Sequence, residues 1–145
     1  MSREIKFRGK RVDSEEWFTG YLSCGVSFYK ASHFSLIIRP IGCSMIESHE
    51  VDSKTIGQFT GLQDKNGAEI YEGDIVKITG DYKPGIYEVI WDDYRVAWWL
   101  RNIKAARREL NRDDNYYQLL NNVWQDREVI GNIYENPELL EVSKC

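Results

Sequence analysis

Cysteine, histidine and proline are scarce in this sequence: three Cys, two His and three Pro in 145 residues. Each shortage excludes something. Cys24, Cys43 and Cys145 form no Cys-x-x-Cys pair, and an odd, scattered set argues against a disulfide framework, so reduced thiols in a cytoplasmic protein are expected. Cys24, His33, Cys43 and His49 are the residue types of a Cys2His2 set, but their spacing matches no common zinc module, and incidental or buried residues are the expectation. No Gly-x-Ser-x-Gly elbow accompanies the two His, so nothing recommends a nucleophilic triad. The Gly-x-x-x-x-Gly-Lys-Ser/Thr loop and the Gly-x-Gly-x-x-Gly fingerprint are both missing, which leaves nucleotide hydrolysis and dinucleotide binding without support. No apolar run approaches the ~20 residues of a membrane span, so no membrane partner is expected. MSREIKFRGKR is basic but has no apolar stretch behind it, and is not read as a secretory signal.

Core material, by contrast, is ample. Five Trp and nine Tyr contribute to a 13% aromatic content, enough to make disorder over most of the chain unexpected. The charge is uneven. Arg3, Lys6, Arg8, Lys10 and Arg11 against Glu4 give residues 1–11 a local +4, and Arg101, Lys104, Arg107, Arg108 and Arg112 against Glu109 give 101–112 another +4. The net charge is −4, so the rest of the chain carries −12. Patches of opposite sign on one chain suit pairing between copies.

The patterning is that of short strands. Ile5 and Phe7 alternate with Lys6, Arg8 and Lys10, predicting a half-buried strand with a basic outer face. After the turn-like Asp13-Ser14-Glu15-Glu16, Trp17 to Leu22 returns as a second strand, and Phe34 to Ile38 is a third, stopped at Pro40-Ile41-Gly42. From Thr55 the turns tighten. Asn66-Gly67 allows a positive φ, and Glu72-Gly73-Asp74 places an acceptor carboxylate beside another such glycine. Ile75 to Ile78, Ile86 to Trp91, Val96 to Leu100, Tyr116 to Leu120 and Glu128 to Ile133 are the remaining expected strands. Residues 101–112 fit either a helix or a long hairpin arm. Asn136-Pro137-Glu138 reads as a helix start of a turn or two, with Asn at the N-cap and Pro in the first helical position.

Three stretches carry a recognisable pattern: IKFRGKR (5–11) with EWFTGYL (16–22), TIGQFTGLQDKNGAEIYEGDIV (55–76), and EVIGNIYENPELL (128–140). In this order they resemble the YopX family of small bacteriophage and prophage proteins. The resemblance implies a mainly β chain: an N-terminal β segment over 1–54, and an SH3-like β-barrel with short helical pieces over 55–145. It also implies a phage or prophage gene in a bacterial host, and no particular activity. Within this frame Leu62, Ile70, Ile75, Val76, Val89, Ile90, Val129, Ile130 and Ile133 are expected to be mostly buried.

Three chemistries remain to be weighed. Asp64-Lys65-Asn66-Gly67 faintly suggests a calcium loop, but registering Gly67 on the loop's sixth position puts Leu62 and Gly73 where end carboxylates are needed, so an ordinary hairpin is expected. Asp92-Asp93 and Asp113-Asp114 are adjacent acids in polar turns, the pattern of turn residues rather than of carboxylates converging from several strands. With no catalytic constellation to name, the expectation is a non-enzyme that binds itself or other phage or host proteins. Nucleic-acid binding is the alternative: Lys6, Arg8, Lys10, Arg101, Lys104, Arg107 and Arg108 supply cations for phosphate, and Trp98-Trp99 precede the second cluster. Trp98 and Trp99 must lie on opposite strand faces, so at most one can point outward.

Overall fold

The structure, a computed structural model, describes residues 4–27, 32–80, 84–103, 116–118 and 126–141. It is mainly β, built from two antiparallel sheets and short 3-10 turns. Among the described residues neither sheet is seen to close into a barrel. Its contacts fall into two compact units, Met1–Gly61 and Leu62–Cys145.

In the N-terminal unit the strand order is β4-β3-β2-β1-β5, with β1 Phe7–Lys10, β2 Trp17–Ser27, β3 Ser32–Ile41, β4 Met45–Val51 and β5 Gly57–Gln63. Alternation places Phe7 and Gly9 inward and Lys6, Arg8 and Lys10 on the opposite face. The interior is Phe18, Ile37 and Val51, with Phe7 and Ile56 against them. Gly9 is needed there: a Cβ on it would stand 3.0 Å from the Val51 Cβ. A single bridge, Arg11↔Val51, ties the end of β4 back to the first strand. β3 runs past Pro40, where the sequence pattern stops it. Its pairing with β2 ends at Tyr21↔Ile38, while Pro40 faces only Ile46 of β4, so the missing N–H leaves no gap in a two-sided ladder.

The last residues of β5, Leu62 and Gln63, open the C-terminal unit, where β6 (Glu69–Tyr71) lies beside it. A five-stranded sheet follows in the order β10-β9-β8-β7-β11, with β7 Asp74–Thr79, β8 Gly85–Asp92, β9 Ala97–Asn102, β10 Tyr116–Gln118 and β11 Asp126–Asn132. The core is Ile70, Val76, Ile78, Tyr87, Val89, Trp98 and Leu100, with Leu62 and Val129 packed against it. Of the residues expected inside, Ile70, Ile75, Val76 and Val89 are fully buried, whereas Leu62, Ile90, Val129, Ile130 and Ile133 are half-buried. β9 begins at Ala97, one residue later than its pattern suggests, because Val96 lies in the preceding turn at φ 50, a left-handed conformation that strains a β-branched residue.

The glycine turns are where the sequence places them. Gly67 and Gly73 both have φ 82. Around Gly67 the Asp64 carboxylate organises the loop: Oδ1 accepts from the N–H of Asn66 at 2.8 Å and of Ala68 at 2.9 Å, and Oδ2 accepts from Val129 at 3.0 Å. The Val129 contact sits at a register shift between Val129 and Gly131 in the β7–β11 pairing, where a bulge interrupts the ladder. At the second turn the fully buried Asp74 accepts the Tyr71 N–H at 2.7 Å. The C-terminal piece is the 3-10 turn Pro137–Leu139. Asn136 occupies its N-cap but does not cap it; its Oδ1 reaches back to the Asn132 N–H at 3.3 Å instead.

Candidate binding surfaces

Arg8 and Lys10 stand on one face of β1, with Lys6 just before the strand on the same alternation, and β1 pairs with β2 on one side and β5 on the other. Each cation lies near an aromatic ring from a neighbouring strand: the Lys6 ammonium 4.7 Å from the Phe59 centroid, the Arg8 guanidinium 4.7 Å from Trp17, and Lys10 5.9 Å from Trp17. The expected basic strand face is therefore present, but its aromatic faces are already in contact with cations. A base stacking on Trp17 would have to displace them.

The second basic cluster is different. Arg101 donates to Glu88 Oε2 across the β8–β9 ladder, where the two residues are direct partners. Lys104, Arg107 and Arg108 lie outside the described residues, as do Asp113-Asp114, Cys145 and most of the 101–112 segment whose form the sequence leaves open. Trp98 is a core residue with 4% exposure, so of the pair only Trp99 can face outward, and the Arg95 guanidinium covers it at 4.4 Å.

The acids singled out above are bound to backbone. For Asp64, burial is the largest single influence and pushes its pKa up. The N–H groups of Val129, Ala68 and Asn66, with Lys65 beside them, outweigh it and hold the carboxyl below the usual carboxylate range. Asp92 is held low first by the Arg95 backbone N–H, against burial, and also by the Arg95 side chain; it closes the β8–β9 turn by accepting from the N–H groups of Tyr94 and Arg95. His49 hydrogen-bonds Glu47 at 2.9 Å and stands edge-on to the Phe18 ring. That bond, then Arg39, keeps the Glu47 carboxyl low. Cys24 and Cys43 are exposed thiols, and no group of three or more His, Cys, Asp or Glu converges as a metal site among the described residues.

Two concavities are formed entirely within single units. In the N-terminal unit an open cleft of about 700 Å³ is lined largely by polar side chains, among them Lys10, Arg11, His33, Glu50 and Asp52. In the C-terminal unit a smaller cavity of about 310 Å³, equally open to solvent, adjoins the Glu88–Arg101 pair. Sequence reasoning missed both, because each depends on strand register, which no local pattern reveals. No described helix is long and apolar enough to cross a membrane.

Residues 6–141 match the sequence profile of the YopX family, described as "YopX protein", and the chain belongs to that family. The chain is similar in structure to yopX from Bacillus subtilis, with a TM-score of 0.52 and 22% identity over 92% of this chain and 96% of that one. A second similar structure is protein EF1440 from Enterococcus faecalis, with a TM-score of 0.45 and 25% identity over 96% and 99% of the respective chains. The Bacillus likeness shows a shared fold. No curated protein matches the chain.

Proposed function

We propose that this chain is a bacteriophage or prophage accessory protein that acts in the cytoplasm of a bacterial host without catalysis, by binding protein, its own copies first. The observation that carries the reading is the apolar surface of the N-terminal sheet. Met45 is 64% exposed and Ile46 71%, on opposite faces of β4, the outermost strand in the sheet order, and Tyr21, on the face of Ile46, is 58% exposed. The outer side of β4 is engaged at its far end, where the Val12 N–H donates to the Glu50 carbonyl. An outer strand with exposed apolar residues is a surface on which another chain adds by backbone pairing. The +4 clusters against an acidic remainder favour a second copy as that chain.

The engagement of Asp64, Asp74 and Asp92 with backbone N–H groups supports the absence of catalysis, since those carboxylates are placed to close turns. The family's motifs support the phage or prophage setting, and two exposed thiols support a reducing compartment. The SH3-like barrel belongs to the same proposal. A meander from β7 to β10 with β11 on the other side of β7 is a connectivity that a small barrel uses on curling.

Light scattering tests the reading. At low salt the mass should exceed the 17.0 kDa of one chain, and Ile46→Lys should weaken association by at least about tenfold. A monomer at both low and high salt removes it. Nucleic acid is the second reading, favoured by the alignment of Lys6, Arg8 and Lys10 on one strand face. If it holds, single- or double-stranded DNA binds near physiological salt, and changing all three cations to Gln flattens the log–log salt slope by about 2 to 3. Absence of binding at that salt eliminates it.

A further inference from the structure

The cavity of the C-terminal unit has a chemistry that neither reading above uses. β8 and β9 place Glu88 and Arg101 opposite each other on one sheet face. The Glu88 side chain is 10% exposed and that of Arg101 is 41% exposed, so a sunken carboxylate steers a guanidinium whose remaining edge reaches open space. A guanidinium held along one edge presents its other N–H donors in fixed geometry, the arrangement that grips a planar carboxylate.

The rest of the wall adds a second polarity and an apolar floor. The Gly73 turn brings Glu72 to the lining, and the Ile133 N–H donates to the Gly73 carbonyl at 2.9 Å, which draws Ile133 and Tyr134 alongside. The closeness depends on glycine: a Cβ on Gly73 would meet the Tyr134 ring at 3.2 Å. Ile90, on the same face of β8 as Glu88, lines the same cavity, while the Trp91 ring turns to the other face against Trp98. Glu72, Glu88 and Arg101 leave the wall with one net negative charge. A dianion such as a phosphate monoester is therefore opposed, and a simple cation meets Arg101. A ligand carrying both signs suits both ends.

We propose that this cavity binds a free amino acid, its α-carboxylate on Arg101, its ammonium toward Glu72 and its side chain against Ile90, Ile133 and Tyr134. At about 310 Å³ the cavity lies at the small end of ligand pockets, which suits a molecule of that size. The proposal is independent of self-association, since its residues all lie in the C-terminal unit and the exposed apolar strand in the other.

Calorimetric titration of the full chain with a panel of aliphatic, aromatic and basic L-amino acids is the test. Saturable binding of at least one is expected, weakened about tenfold or more by N-acetylation and separately by conversion of its carboxylate to the amide. Arg101→Lys keeps a charge opposite Glu88 but loses the fork, and should weaken binding about tenfold. The double change Glu88→Gln with Arg101→Gln, checked by circular dichroism, should abolish it. In Glu72→Gln the preference for the free over the N-acetylated form should fall. No saturable binding of any panel member up to about 20 mM overturns the proposal, as does equal affinity for the N-acetylated form or unchanged binding in folded Arg101→Lys.

Discussion

Gly20→Ala is expected to cost about 3 kcal/mol and to disrupt the N-terminal sheet. Gly20 sits in β2 opposite Phe7 of β1. A Cβ there would lie 2.3 Å from the Ile38 carbonyl oxygen and 3.0 Å from Ile37 Cγ2. The first obstacle is backbone, so no rotamer change relieves it. Moving Ile38 away would break the ladder at Tyr21↔Ile38 and Leu22↔Ile37 and open the core at Ile37, which is completely buried. Denaturant unfolding of the two proteins measures the difference, and a loss below about 1 kcal/mol would mean that β2 and β3 are not so close. Gly67 provides the contrast. It has φ 82, but nothing lies within 4 Å of the Cβ position, so Gly67→Ala bears only the left-handed backbone cost of about 1–2 kcal/mol.

Asp64→Asn should cost about 2–4 kcal/mol at neutral pH and lower Tm by about 10 °C or more. The wild-type carboxylate accepts three backbone N–H bonds on two oxygens while it is only 8% exposed. An asparagine offers one acceptor oxygen, so its NH2 faces a backbone donor wherever it turns. Either the Asn66 and Ala68 pair or Val129 loses its partner, and an orphaned donor in so sheltered a place is expensive. One effect stays within the loop around Gly67. The other releases β11 at its register shift, 65 residues away in sequence, and is the larger structural loss.

The range of these interactions explains how much could be read in advance. Turns are local, so Asn66-Gly67 and Glu72-Gly73-Asp74 were legible, down to the Asp74 carboxylate accepting a nearby N–H. The basic face of β1 follows from alternation alone, as does the division of Trp98 and Trp99 between faces. β4 was not legible. In Met45–Val51 only Val51 is buried, and an outer strand with polar alternation carries little hydrophobic signal. The Phe18, Ile37 and Val51 cluster was hidden for another reason, since it needs three strands in register. Register also conceals the fate of Arg101. Counted along the chain it begins a basic run, yet across the ladder it belongs to Glu88. Gly131 inside a strand pattern was the one available sign of the irregularity that Asp64 serves.

That the acids of the family's motifs hold backbone is tested most directly by the unfolding free energy of wild type and Asp64→Asn from pH 7 down to pH 3. Because the folded Asp64 carboxyl titrates below its unfolded value, its contribution is fully present above the unfolded pKa of about 4 and is lost as pH falls through the folded pKa. The predicted result is a gap of about 2–4 kcal/mol, constant from pH 7 to about pH 5 and narrowing below it. Two curves that coincide at pH 7 would contradict it.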